Sequence, residues 1–284
     1  MKPVERSFTF IEKAPIGEAT LAKVRKSEGT YVRSYSELVE RVAELSFNNP
    51  EYLLFFRGQA RDHRRNQLTT IQTALFRSTE TNGNLNMSEI ERRFRVLDRA
   101  EEALAAQYDL PGQERVQRFS ILRWALLQHY GVCRTPLLDV THSLRVACSF
   151  AFQEQQGSPY LYVLAFPQIS GSVTTSSEHG IQVIRLLSIC PSAALRPHYQ
   201  EGYLVGEFPT ISFRQKMLYD RAELDMANRL VCKFRLANYK KFWHSGFTEI
   251  PHGALFPDAR DMLKKKMDEI ENVIRNYFEY DNLI

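Results

Sequence analysis

The stretch Tyr52–Phe56 reads Tyr-Leu-Leu-Phe-Phe, with no polar residue to turn outward. A strand lying on a surface alternates apolar and polar side chains, so a run like this one reads as a fully buried strand. Asn49-Pro50 breaks the chain just before it. The run then leads straight into Arg57-Gly58. An arginine at the end of such a strand sits at a cavity mouth or a sheet edge.

Around this strand the apolar spacing assigns further elements. Residues 35–48 form an amphipathic helix with Leu38, Val39, Val42 and Leu45 on one face. Residues 1–34 read as a polar, irregular N-terminal extension, and residues 60–86 as a long loop with one helical turn near Leu75-Phe76 and a turn at Asn82-Gly83-Asn84. A helix starts near Ser88, with Glu91 at capping-box spacing, and runs to about Tyr108. A second helix covers 113–130, with Val116, Phe119, Leu122, Leu126 and Leu127 inward and Gly131 placed to end it. A third follows Asp139, capped by Thr141 or Ser143. Strands are expected at Tyr160–Phe166, Ile181–Leu186, Gly202–Phe208 and Leu230–Leu236, and a long charged helix from Pro257 to Tyr280. Helices before strands indicate an α+β fold, a helical first half packed on a mixed, mostly antiparallel sheet, with residues 35–284 as one domain.

Composition removes several classes. The chain has 284 residues and a formal net charge of +4, which permits an anionic partner without demanding one. Its four cysteines, Cys133, Cys148, Cys190 and Cys232, form no C-x-x-C pair and lie near no histidine cluster, so neither a metal site nor a disulfide framework is expected. No stretch approaches the roughly 20 apolar residues of a membrane span. The expectation is a soluble, cytoplasmic protein that makes no contact with membrane, its oligomeric state left open.

Chemistry-bearing residues gather in two segments. The Arg57 guanidinium is a planar fork suited to phosphate or carboxylate, and Gly58 admits a ligand or another backbone. The plainer alternative pairs Arg57 with a core acid such as Asp139. Gln128-His129-Tyr130 crowd three polar side chains at the end of an apolar helix. His129 there is a hydrogen-bond donor, a general base, a ligand orienter, or simply a satisfied buried histidine. Asp139, Thr141 and Ser143 begin the next helix, either as a capping cluster or as the polar floor of a pocket for an anionic or hydroxyl-rich ligand. Arg57, Arg61, His63, Arg64, Arg65 and Arg77 form a basic run that is either a solvated loop or a phosphate-contacting surface, without interleaved aromatics for base stacking.

Five blocks, Phe-Arg-Gly-Gln (56–59), Leu-Phe-Arg (75–77), Gln-His-Tyr-Gly (128–131), Leu-Leu-Asp-Val-Thr-His-Ser (137–143) and Val-Ala-Cys-Ser-Phe-Ala (146–151), closely resemble the FRG domain family. Arg196–Gln200 with Gly202, and Leu255-Phe256-Pro257-Asp258, extend the resemblance to about residues 35–270. The link at 132–136 is one residue longer than the usual form. The family resemblance implies a component of bacterial conflict or phage-defence systems.

The block order is also similar to that of arginine-type ADP-ribosyltransferases, and this weaker resemblance implies NAD as substrate and an ADP-ribosyltransferase-like fold. Arg57 would clamp the pyrophosphate, Thr141 and Ser143 would position the nicotinamide ribose, and Glu201 or Glu207 would stabilise the transition state. His129, Thr141 and Glu201 are then the catalytic candidates. Arg57, Gly58, Gln128, Tyr130, Asp139 and Ser143 are the ligand-binding ones. The middle triplet departs from that pattern, being Thr-His-Ser in place of Ser-Thr-Ser. Two functions stay open at this point, ahead of a third, a hydrolase or nuclease using His129 and Asp139 that no metal-ligand spacing supports. One is an NAD-dependent toxin or defence effector, a transferase or NAD glycohydrolase, modifying a protein or nucleic acid. The other is a sensor or adaptor that binds a nucleotide, dinucleotide or nucleic acid without catalysis.

Overall fold

In the computed structural model, residues 1–78, 86–153, 158–192, 194–210, 224–244, 246–256 and 260–278 are described. The predicted turn at residues 82–84, the Pro257-Asp258 pair and the last predicted helical residues up to Tyr280 lie outside them.

The chain begins with a hairpin, β1 (Arg6–Thr9) and β2 (Gly17–Thr20), and a short helix α1 (Leu21–Lys26). After β3 (Thr30–Val32) come α2 (Tyr35–Asn48) and β4 (Leu53–Gln59). A two-residue hairpin, β5 (Arg64–Arg65) and β6 (Leu68–Thr69), precedes α3 (Met87–Gln107), α4 (Gln113–Arg118) and α5 (Ser120–His129). Then follow β7 (Leu138–Thr141), α6 (Leu144–Ala151), β8 (Tyr160–Phe166), β9 (Val173–Ser176) and β10 (Ile181–Arg185). The remainder is α7 (Leu186–Ile189), α8 (Leu195–Gln200), β11 (Gly202–Glu207), β12 (Leu230–Leu236), α9 (Tyr239–Phe242), α10 (His252–Leu255) and α11 (Met262–Phe278).

Eight strands form one sheet in the order β3-β12-β8-β4-β7-β11-β10-β9. Its pairings are antiparallel except for β12 with β3. The architecture is the expected α+β one, helices packed on a mixed, mostly antiparallel sheet. The apolar strand β4 lies inside the sheet, in register with β8 from Leu53↔Phe166 to Gln59↔Tyr160. Every residue of β8 is buried.

Three apolar clusters cover the sheet. Leu54 and Phe56 of β4 pack with Leu38 and Leu45 of α2 and with Ala147, Cys148 and Ala151 of α6. Phe55, one residue out of phase, packs in a second cluster with Tyr162, Leu164, Leu138 and Val140. This is the alternation that a strand buried on both faces requires. The third cluster joins α3, α5 and α11 through Leu97, Leu104, Leu126, Leu127, Met267 and Ile270. Gly58 shares the face of Leu54 and Phe56. A Cβ at this position would meet the Ala147 carbonyl oxygen at 1.8 Å, so glycine is what lets α6 lie against β4.

Several boundaries differ from the sequence expectations. The 113–130 segment is two helices, divided at Phe119, whose backbone is extended (φ −116°, ψ 111°) and whose ring is exposed rather than inward. Asn86, not Ser88, caps α3, accepting from Glu89 N at 2.8 Å, while Ser88 Oγ donates to the cap. Val39 is exposed, and α2 buries Tyr35, Leu38 and Leu45. Ser143 rather than Thr141 caps α6. Residues 1–34 are not irregular. Val4, Phe10 and Val24 are core residues, β3 is the edge strand of the main sheet, and buried Asn49 hydrogen-bonds both backbone groups of Phe8. Strands of three or four residues show no usable periodicity, and their partners lie far along the chain.

Replacing Gly58 with alanine is expected to cost about 3 kcal/mol or more, because the clash is with backbone that cannot rotate away. The midpoint of urea denaturation measures this, and an unchanged midpoint contradicts the packing argument.

Candidate functional site

β4 and β7 are neighbours in the sheet, yet they pair at one register position, Phe56↔Thr141. Beside this junction lies a cleft of about 350 Å³, within the size range of small-molecule sites. The ends of β4 and β7, the end of α5 and the α8–β11 corner all reach it.

Arg57 lines the cleft, and its Nη1 donates to the backbone carbonyl of Asp139 at 2.6 Å. Its Nε is buried without a hydrogen-bond partner among the described residues. Burial lowers the Arg57 pKa, and the nearby Asp139 charge opposes that effect. Arg61, His63, Arg77 and Arg196 line the same cavity. Burial, then the charges of Arg57 and Arg134, bring Arg77 down to about 10, a sign of cations crowded together. α3 holds Arg77 in place: buried Arg93 donates to the carbonyls of Leu75 at 2.9 Å and Arg77 at 2.8 Å.

Asp139 is the one carboxylate among the cleft's described lining residues. Its Oδ2 accepts from Gln128 Nε2 at 2.8 Å, and its Oδ1 stands 3.5 Å from His129 Nδ1. Gln128 is oriented in turn, since its Oε1 accepts from the Thr135 hydroxyl at 2.7 Å. Burial alone would raise the Asp139 pKa, but the contacts with His129 and Gln128 and the Arg57 charge hold it below the usual carboxylate value. Burial lowers the His129 pKa, the Asp139 contact opposes this, and the Arg196 charge adds to the lowering. The helix ends here because Gly131 adopts a left-handed φ of 72°.

Aromatic rings form another wall. Phe150 and Phe256 meet edge to face with centroids 5.8 Å apart. The Arg196 guanidinium lies over the Phe256 ring at 4.8 Å. Tyr203 and Gln200 complete this side.

The predicted residues therefore divide. Arg57, Gly58, Gln128, His129, Asp139 and Thr141 line the cleft. The Thr141 hydroxyl is occupied with the backbone, donating toward the carbonyls of Gln200 and Glu201 and accepting from Ser143 N. Tyr130, Ser143, Glu201 and Glu207 are not lining residues. Tyr130 donates its hydroxyl to buried Asp261 at 2.9 Å. Glu201 is exposed at a left-handed corner (φ 45°) after α8, and Glu207 ends β11 near the N-terminal amine. Sequence reasoning missed Thr135, Phe150, Arg196 and Phe256 as site residues. Arg196 and Phe256 stand in segments that carried the family resemblance, which was the available signal. Among the described residues no helix is long and apolar enough to cross a membrane, and no three His, Cys, Asp or Glu side chains come together to hold a metal.

Comparison with protein families matches residues 53–159 to the FRG domain. The match takes in β4, α5, β7 and α6 with all five hallmark blocks, while Arg196 and Phe256 lie beyond it. No curated protein and no solved structure matches the chain.

The buried His129 makes stability depend on pH. Its folded pKa lies below the ordinary 6.5, so the unfolded chain binds the proton first. The stability it contributes is full above 6.5 and falls as pH drops below that value. The urea midpoint is expected to fall between pH 7.5 and pH 5.5, and His129→Gln to flatten the fall; His142, also lowered, keeps part of the slope. An equal fall in the variant contradicts this.

Proposed function

Starting from an FRG domain whose hallmark residues line one basic cleft, we propose that the protein binds a nucleotide there, as a sensor or adaptor module. The phosphates sit on Arg57 and Arg77 and the base lies against Phe150 and Phe256. The observation that carries this reading is the Arg57 guanidinium, which lines the cleft with Arg61, His63, Arg77 and Arg196 and is anchored at Nη1 by the Asp139 carbonyl. A phosphate is the group whose charge and paired acceptor oxygens match a guanidinium fixed at a cavity wall. The surrounding cations favour the same charge, and Asp139, the one carboxylate among the described lining residues, has its Oδ2 held by Gln128.

ADP-ribosyl transfer or NAD hydrolysis requires a carboxylate to stabilise charge developing beside the ribose. Asp139 has its Oδ2 held by Gln128 Nε2, and Glu201 and Glu207 stand apart from the cleft lining. Binding is thus the reading the geometry supports best. NAD enters as one candidate ligand, and an acceptor protein or nucleic acid is not needed. A place in bacterial conflict or phage defence rests on the family resemblance.

Calorimetric titration with ADP, GDP, CDP, UDP and NAD tests this. At least one is expected to bind, more weakly as salt is raised. Arg57→Ala and Arg77→Ala are each expected to weaken it by about tenfold or more. Because Arg57 also tethers Asp139, Arg77→Ala is the cleaner variant. No binding by any of the five, or affinity indifferent to both arginines, overturns the proposal. Steady nicotinamide release from NAD, lost in His129→Ala, returns the transferase reading.

A further inference from the structure

We propose that the ligand of this cleft is a nucleoside di- or triphosphate, whose terminal phosphate is held at the rim by Arg77 and Arg134 while an inner phosphate lies on Arg57. The proposal rests on the nucleotide reading above. It adds what that reading leaves open, the length of the phosphate chain and a binding residue outside the cleft lining.

Arg134 belongs to the loop between α5 and β7. Val132, Cys133 and Thr135 beside it are buried, whereas Arg134 keeps accessible surface. The loop is tied down at this point. Leu75 N donates to the Thr135 carbonyl at 3.1 Å, and the Thr135 hydroxyl donates to Gln128 Oε1 at 2.7 Å. Two residues beyond Leu75 comes Arg77, which lines the cleft together with Arg57. Buried Arg93 of α3 donates to the carbonyls of both Leu75 and Arg77. Arg77 and Arg134 thus stand on two segments that are bonded to each other and anchored to the same helix.

The charges of these residues reach one another. Arg77 is brought down to about 10 by burial first, and then by the charges of Arg57 and Arg134. Burial, and after it the Arg134 charge, lowers Arg93 as well. Arginines that serve the fold elsewhere are matched by acids: Arg25 by Asp225 at 2.6 Å, Arg64 by Asp62 at 2.7 Å and Arg93 by Glu89 at 3.0 Å. Arg57 and Arg77 are held by carbonyls instead, those of Asp139 at 2.6 Å and Gln72 at 3.0 Å. Arg134 forms no ion pair among the described residues. Like charges gathered in this way oppose one another, and an anion shared among them removes the opposition.

The arrangement sets the length of that anion. Arg57 is on the cleft wall, Arg134 is beyond the lining, and Arg77 feels the charge of both. A single phosphate on Arg57 leaves Arg134 without an anion, whereas a chain of phosphates continues outward to it. A terminal phosphate also carries about −1.5 to −2 charge and three acceptor oxygens, enough to engage two guanidiniums. The internal diphosphate of NAD has no such end group.

The test is calorimetry on the full chain in buffer without divalent cations. The ligands are NAD and the mono-, di- and triphosphates of whichever nucleoside among those of adenine, guanine, cytosine and uracil binds most tightly. The di- or triphosphate is expected to bind about tenfold more tightly than the monophosphate and than NAD. In Arg134→Ala the margin over the monophosphate is expected to shrink to about threefold or less, and Arg134→Lys, which keeps the charge without the fork, to retain more of it. Arg6→Ala removes the same charge from the N-terminal hairpin, outside the cleft lining, and is expected to leave the margin unchanged. If the monophosphate or NAD binds as tightly as the longer chains while Arg77→Ala still weakens binding, the polyphosphate inference falls and the nucleotide reading stands. If the margin survives in Arg134→Ala, or falls equally in Arg6→Ala, Arg134 is not the outer seat. If no nucleotide binds, both readings fall together.

Discussion

Asp139 joins three parts of the molecule through a single residue. Its carbonyl accepts from Arg57 at 2.6 Å and bridges β7 to β4, which meet in register only at Phe56 and Thr141. Its carboxylate reaches the other way, to Gln128 and His129 at the end of α5. The carboxylate is partly exposed at the cleft, and Gln128, His129 and the Arg57 charge together hold its pKa below the usual carboxylate value. The same contacts orient the imidazole and fix the guanidinium. The cleft is therefore a consequence of how this acid is satisfied at a gap in the sheet.

The Phe-Arg-Gly triplet divides its labour by strand alternation. All three residues border the cleft, but Phe56 packs in the α6 cluster and Gly58 lies against Ala147, where no Cβ can be tolerated. Only the middle residue carries a charge to the site. The glycine serves the fold, because α6 must come close enough for Ala147 to touch β4.

The basic rim is built from buried anchors. Lys233 of β12 is buried and donates to Ser27 O and Thr69 Oγ1, both at 2.6 Å, and to Asp62 Oδ2 at 3.1 Å. Asp62 also accepts from Arg64 and from the Tyr162 hydroxyl. Burial pushes Asp62 up, but the Lys233 charge and these hydrogen bonds hold it below its ordinary value. This network fixes the 60–70 segment, whose Arg61 and His63 line the cleft. Arg93 does the same for Arg77 from the opposite side. A charged rim needs such anchoring, since a solvated loop would lose its order to entropy and its charge to screening.

The sequence by itself determined the long elements and the location of the site. The β4 run, α2 at residues 35–48, β8 and β12 follow from apolar patterns that only one burial arrangement satisfies. The hallmark blocks placed Arg57, His129 and Asp139 together because local chemistry at strand and helix ends is written in adjacent residues. The tertiary structure decided what adjacency cannot encode. It made Thr141 a backbone clamp, turned Tyr130 toward Asp261, left Glu201 exposed, and brought in Thr135, Arg196 and Phe256. Short strands such as β3 and β7 also waited on it. Their few residues carry too little pattern to announce themselves, and they exist because distant partners supply their hydrogen bonds.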